Sequence, residues 1–518
     1  MTDLSRQMKP YGYAVILIVA CIGTATAQTP EAAGKPEAAP KTKQGTKPQS
    51  APPQGTPDSL KKTEAEQHIS PEEAAELFKS VDEIIAFASK DTGLAIKNPV
   101  KRELASRETV EKYIAERMDD DEDEKRFERT ELVLKKFGLL PREFDLRPFM
   151  IKLLRDQVAG FYDSKRKTVH MLDWVPLDAQ RPVLAHELTH ALQDQTIDLE
   201  KWLKDLRKQV RATMDADNAE GEIDEEISAR TALLEGQGMA VLIDYMLNPM
   251  GRSMEDSPQF VEAMKAGMSS NEGSATLTSA PMLLRESLVF PYRDGLGFVQ
   301  ALLAKGGKKQ AYAGALTHPP HDTHEILTPK SYLNKAQVPT MLLPNLKPAM
   351  GKEYERYDSG SVGQFDIVLL MKQFADDAAA KEMSPEWRGG IYYAARRTGS
   401  GNVKEASATR DLGLVYLSKW SSAAAAKKFA GIYEHALKQK YAKVIAKQGQ
   451  WETDEGPVSI EVVGERVLVM EGFEERTAAA VRKIMLEGKA DGARSVAQSN
   501  VSMRVVSPVF GARLLMGW

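Results

Sequence analysis

The sequence predicts an α+β protein: a mostly helical domain with a small edge sheet over residues 66–340, then a smaller α+β domain over residues 341–490. Three observations carry that expectation. Apolar residues recur at helical spacing through most of the chain after Ser70. Ahead of Pro344, a strand–turn–strand pattern occurs in one place, Gly160 to Leu172. Beyond Pro344 strand-like and helix-like segments alternate. The 518 residues are 42% hydrophobic and 27% charged, an ordinary globular composition with room for more than one domain. A net charge of −4 gives no overall basis for a nucleic-acid partner.

The chain opens on an export signal, residues 1–27. Arg6 and Lys9 precede an apolar run from Tyr13 to Ile22, and Ala25-Thr26-Ala27 before Gln28 is an A-x-A cleavage pattern. The apolar run is too short to span a bilayer. Ile18-Val19-Ala20-Cys21 also resembles a bacterial lipobox, in which Cys21 would be lipidated and become the mature N-terminus. Both readings predict an exported protein, periplasmic or extracellular, with membrane attachment limited to a lipid anchor at Cys21. Cys21 is also the one cysteine, so the chain has no internal disulfide and no thiolate metal site. Any metal must be held by histidines and carboxylates, the donor set of catalytic rather than structural zinc. Residues 28–65 are Pro, Ala, Lys, Gln, Gly and Thr with few apolar side chains, and predict a disordered tether.

Ser70-Pro71-Glu72-Glu73 is a helix start, with Ser70 as N-cap, Pro71 at the first helical position and Glu73 closing a capping box. Leu77, Val81, Ile84, Ile85 and Ala88 continue the stripe. A second helix is expected over Glu108 to Arg117. The six acids Asp119 to Glu124 read as a solvated turn, since no EF-hand glycine spacing follows. Phe127 to Phe137 and Phe149 to Val158 are again helical. Gly160 to Leu172 then reads as a β-hairpin, with His170 a strand residue rather than a ligand. An edge strand here could bind an extended peptide by main-chain hydrogen bonds.

Ala185 to Asp194 follow as A-H-E-L-T-H-A-L-Q-D. His186 and His190 lie four apart, so on a helix both imidazoles project from one face and can share a Zn²⁺. Glu187 stands beside that metal, off its coordination axis, where it can take a proton from a water. Val183, Leu184, Leu188, Ala191 and Leu192 supply the apolar stripe, and Pro182 is expected in the first turn. A third ligand must come from elsewhere. Asp194 is better placed to hold the other N–H of His190. The acids Glu220 to Glu226 sit in a polar, glycine-containing stretch expected as a loop and helix start. Glu235 instead lies inside the apolar helix Ala229 to Tyr245, where a carboxylate must be paired, protonated or metal-bound. Glu235 is the expected ligand, with a buried ion pair as the alternative. Gly236 and Gly238 would let this helix approach the zinc helix.

H-E-L-T-H-A-L-Q-D with a glutamate on a second helix resembles the gluzincin branch of the zincins, the thermolysin-like superfamily. The resemblance implies a zincin-like metallopeptidase domain, a His, His, Glu zinc site and Glu187 as general base. Several stretches also resemble an uncharacterised group of exported bacterial HExxH proteins: Val158 to Asp163, A-L-L-E-G around Glu235, Phe290-Pro291-Tyr292 with Gly295, Phe298 and Val299, and Pro320 to Tyr332. Together these cover roughly residues 139–332, and more faintly reach about residue 437. The chain departs from that pattern in three ways. It has Glu235-Gly236-Gln237-Gly238 where those relatives tend to read E-G-D-A, and Thr328-Pro329 where they often have His-Pro. The gap from His190 to Glu235 is longer than in thermolysin-like enzymes. These departures bear on catalytic rate more than on metal binding.

Three further histidines, His318, His321 and His324, fall in the stretch Thr317 to Glu325. Thermolysin-like enzymes use a His and a Tyr to stabilise the tetrahedral oxyanion, so these three and Tyr292 are candidates for that role. A second metal site and a plain surface loop are the other readings, and Pro319-Pro320 favours an irregular loop. Beyond Pro344, Val362 to Phe374 reads as a helix, Gly390 to Arg396 and Leu412 to Lys419 as strands, and Ser421 to Gln439 as a helix. A hairpin over Gly464-Glu465 joins Val458 to Val463 with Arg466 to Gly472, and Thr477 to Leu486 closes the domain. Residues 491–518 form a C-terminal tail. The function expected is that of an exported zinc peptidase acting on a peptide or protein. A catalytically silent zinc-binding envelope scaffold or binding module, and a hydrolase of non-peptide amides or esters, are the alternatives.

Overall fold

The computed structural model describes residues 14–18, 68–118, 121–214, 216–269, 274–336, 341–401, 406–447 and 449–487. Cys21, the A-x-A site, the tether 28–65 and the tail 491–518 lie outside them. The α+β expectation holds: a helical half carries a four-stranded sheet, and a seven-stranded antiparallel sheet follows it.

In the helical half, α1 (Pro71–Thr92) begins as the sequence requires. The Ser70 hydroxyl accepts the Glu73 N–H at 3.2 Å and the Glu73 carboxylate accepts the Ser70 N–H at 2.7 Å, which satisfies two first-turn donors. Leu77, Val81, Ile84, Ile85 and Ala88 are all buried. Helices α2 (Arg107–Met118), α3 (Asp121–Phe137) and α4 (Leu146–Gln157) follow. The small sheet holds β1 (Ala14–Ile18), β2 (Lys101–Ala105), β3 (Val158–Asp163) and β4 (Thr168–Leu172), in the order β1-β3-β4-β2. β3 and β4 are the expected hairpin, and all their residues are buried. β2 runs parallel to β4. β1, from within the expected export signal, lies antiparallel on β3, with Val15 opposite Tyr162 and Ile16 opposite Phe161. The remaining long helices of this half are α5 (Leu177–Ile197), α6 (Leu199–Thr213), α7 (Ala216–Leu247) and α8 (Met282–Lys309), the last running into a π-helical turn, Gln310–Gly314.

Three local expectations are corrected. The acidic run does not form a turn throughout: from Asp121 the backbone is the start of α3. Residues 220–226 are not a loop but part of α7. Ile223 and Ile227 extend its apolar face, and Gly221 packs on the chain at Ser361, where a Cβ would stand 3.1 Å from that residue's backbone N. Pro182 falls in the second turn of α5, because the helix starts at Leu177.

The C-terminal sheet comprises β5 (Tyr354–Ser361), β6 (Trp387–Arg397), β7 (Leu412–Trp420), β8 (Val444–Lys447), β9 (Gln450–Thr453), β10 (Gly456–Val463) and β11 (Arg466–Glu471), in the order β5-β6-β7-β11-β10-β9-β8. Side chains alternate across it. Tyr392, Leu414, Tyr416, Val467 and Val469 join the main core with α9 (Gln364–Phe374) and α10 (Ala423–Lys440). Tyr393, Val415, Leu417, Leu468 and Met470 form a second core with α11 (Glu475–Glu487). Both faces are therefore covered, which is why β6, β7 and β11 read as nearly continuous apolar runs. The main core continues into the helical half through residues such as Phe137, Leu242 and Phe298.

Candidate metal centre

Helix α5 passes between β3 and α7, and each neighbour is fitted to it by a glycine. A Cβ on Gly160 of β3 would stand 2.9 Å from the Val183 Cγ1, and one on Gly238 of α7 would stand 2.7 Å from the His186 ring. Gly238 therefore brings α7 up to α5 as expected. Gly236 serves a different contact, facing the backbone of Gly295 on α8, where a Cβ would stand 2.2 Å away. With α7 held this close, Glu235 comes to both imidazoles.

The three side chains converge. Glu235 Oε2 lies 3.0 Å from His186 Nε2 and 3.6 Å from His190 Nε2, and the two Nε2 atoms are 2.9 Å apart. His186 and His190 are completely buried and Glu235 is nearly so. Among the described residues these three form the one group of His, Cys, Asp and Glu whose ligand atoms all lie within 4.8 Å of one another. Tetrahedral zinc with bonds of about 2.0–2.1 Å spaces its donors roughly 3.3 Å apart, so the set fits such an ion with small adjustments. The donor chemistry, two imidazoles and one carboxylate, is that of catalytic zinc.

The electrostatics fit the same group. Burial pushes the His186 pKa down to about 4, with the charge of His190 acting in the same direction. Burial also opposes a proton on His190, but the charges of Glu235 and Glu187 and their hydrogen-bonded surroundings outweigh it and hold its pKa above the usual value. Glu235 should be raised by burial, yet the two imidazoles keep it below the ordinary carboxylate range. Glu187 is completely buried and close enough to act on His190. Tyr292, on α8, places its ring centroid 6.2 Å from that of His186.

Asp194 is placed otherwise than expected. Its Oδ2 accepts the Tyr162 hydroxyl at 2.8 Å and the Lys167 ammonium at 2.7 Å, while Oδ1 accepts the Leu199 N–H. It ties the hairpin to α5 and does not hold His190. That role falls to Gln193, whose Oε1 lies 2.7 Å from His190 Nδ1. Gln193 lies three residues beyond His190, one helical turn, and that spacing was the available signal.

The three later histidines are not brought to this centre either. His318 is exposed and its carbonyl accepts the Tyr332 hydroxyl. His321 faces Glu226 at 3.6 Å, nine residues and so about 13 Å along α7 from Glu235. His324 bonds Gln364 on α9 and the Ser331 hydroxyl. Of the three, His324 reaches the C-terminal half through Gln364, and Tyr292 is the oxyanion candidate that lies beside His186. His170 is a buried strand residue stacked on Phe161, as expected.

Residues 352–482 match the family model described as Domain of unknown function (DUF8575). That stretch is the seven-stranded sheet with its helices, and His186, His190 and Glu235 lie outside it. No curated protein and no solved structure matches the chain.

Proposed function

We propose that this protein is an exported zinc-dependent peptidase of the gluzincin type. The observation that carries the reading is the convergence of His186, His190 and Glu235 from two helices onto one point, with Glu187 buried beside them. A bound zinc would supply a Lewis acid there and lower the pKa of a water to about 7. Glu187 takes the proton of the attacking water as general base and returns it to the leaving nitrogen. Tyr292 is the side chain on hand to donate to the developing oxyanion. The substrate's backbone is oriented by β3, which lies against Val183 and Glu187 at Gly160 and carries an extended segment of this same chain, Ala14–Ile18, in antiparallel register. An extended peptide can bind to that strand by the same main-chain hydrogen bonds once the export signal is removed.

Glu187→Gln is expected to keep the metal and lower cleavage of a peptide library by ~100- to 10,000-fold. His186→Ala and Glu235→Ala are expected to lose zinc, read by elemental analysis. Wild-type protein that carries zinc and cuts no peptide would overturn the peptidase reading in favour of a binding module, whereas turnover confined to non-peptide esters or amides would reassign the substrate class. Mass measurement of the mature N-terminus tests export and distinguishes cleavage after Ala27 from lipidation at Cys21.

A further inference from the structure

We propose that Gln193 and Gln237 are positioning residues that together fix which nitrogen of His190 is offered to the metal. The inference rests on the metal-site reading and goes beyond it. Gln237 is two residues past Glu235 and, like Gln193 and His190, completely buried. Its Nε2 lies 2.7 Å from the Ala311 carbonyl and 3.2 Å from that of Tyr312, both in the π-helical turn after α8. Carbonyls only accept, so the amide nitrogen of Gln237 must face them and its Oε1 must face the other way. That oxygen lies 2.8 Å from Gln193 Nε2, which also donates to the Leu234 carbonyl at 3.1 Å. Gln193 is thereby oriented with Oε1 toward His190 Nδ1. An accepting oxygen at that distance requires Nδ1 to carry the proton, and this leaves the Nε2 lone pair for the metal. The tautomer of a ligand on α5 is thus set by peptide carbonyls after α8, through two amides and no charge.

This order of bonds also accounts for the Gln at position 237, where the sequence resemblance led one to expect an acid. A carboxylate there would face two carbonyl oxygens with nothing to donate. Two amides meet the requirement, at the cost of the added ligand basicity that a carboxylate behind the imidazole supplies.

Nitrogen NMR of the full chain labelled in histidine, free of metal and at about pH 9 to keep the imidazoles neutral, tests the proposal. Wild-type His190 is expected as a single Nδ1–H tautomer. Gln193→Leu removes the acceptor; it is expected to mix the tautomers and to weaken zinc binding, measured by competition with a chromophoric chelator, by ~10- to 100-fold. Gln193→Glu restores the acceptor for Nδ1 but sets its second oxygen against the Leu234 carbonyl and Gln237 Oε1, so it is expected to recover the tautomer at a cost in stability. A merely structural role would lower stability in both variants and leave the tautomer unmoved. A wild-type Nε2–H tautomer overturns the proposal without any variant. So does a Gln193→Leu protein that is folded and unchanged in both readouts. Wild-type protein that binds no zinc would remove the peptidase reading instead, while the tautomer still decides the relay.

Discussion

At the scale of single residues, the centre depends on where side chains are missing as much as on where they are present. Gly236 and Gly238 differ by two positions on α7 and face different neighbours, so alanine at each has a different consequence. Gly238→Ala puts a methyl 2.7 Å from the His186 ring, a side chain that can swing away. It is expected to weaken zinc binding at least tenfold while costing about 1 kcal/mol of metal-free stability, the low end of overpacking. Gly236→Ala meets the backbone of Gly295 instead, which cannot move aside. Its cost is expected at about 3 kcal/mol or more, with zinc affinity lost only as the fold is lost. Metal titration beside urea denaturation checks both, and equal effects of the two substitutions on zinc affinity would contradict the assignment. Most of the site was legible because ligand spacing and burial context are local: two histidines one turn apart, and a lone acid in an apolar helix. What stands behind His190 was not legible. Gln193 and Asp194 are both one turn away on the same face, and the choice between them is made by Tyr162 and Lys167, which the hairpin delivers to Asp194. No periodicity in α5 contains that information.

Among the elements, helices such as α1 and α10 were legible, α6, α8 and the first part of α7 were not, and the strands were legible only in part. α1 and α10 bury one continuous stripe each, so the helical period survives in the sequence. β8 and β9 are four residues each and half exposed, and β2 owes its conformation to parallel pairing with a strand far along the chain. Such strands carry little local signal. The pairing of α10 with β11 is tied by charge as well as by packing. Lys440 and Glu471 are both buried and paired, and the Tyr433 and Tyr441 hydroxyls share the same carboxylate. Burial pulls the Lys440 pKa down to about 8, against the pull of Glu471. Lys440→Met keeps the volume but strands a buried carboxylate, and is expected to destabilise the protein by about 3–5 kcal/mol. Adding Glu471→Gln should return part of that loss, since the double variant buries no lone charge. Chemical denaturation of the set checks it, and simple additivity of the two single losses would contradict the coupling.

For the whole molecule, the junction between the halves is built from buried acids rather than from apolar packing alone. Glu225 on α7 accepts the Thr323 N–H at 2.8 Å and its hydroxyl at 3.0 Å, and its carboxylate is 2.5 Å from where a Cβ on Gly363 would stand, just ahead of α9. Burial raises its pKa well above the usual carboxylate value, and the charges of Asp366 and Asp322 add to that. An acid raised on folding holds a proton that the unfolded chain gives up near pH 4.3. Its contribution to stability is therefore complete below about pH 4.3 and is lost as pH rises toward the folded pKa. Over that interval each pH unit removes up to about 1.4 kcal/mol. Glu225→Gln imitates the protonated form and has nothing to lose, so its stability relative to wild type should grow as pH is raised above about 4.3. Denaturant titrations at several pH values give the difference directly, free of every other titrating group the two proteins share. Parallel curves would mean that Glu225 is ionised in the native protein, and that Thr323 and the start of α9 suffice to hold a charge where the two halves meet.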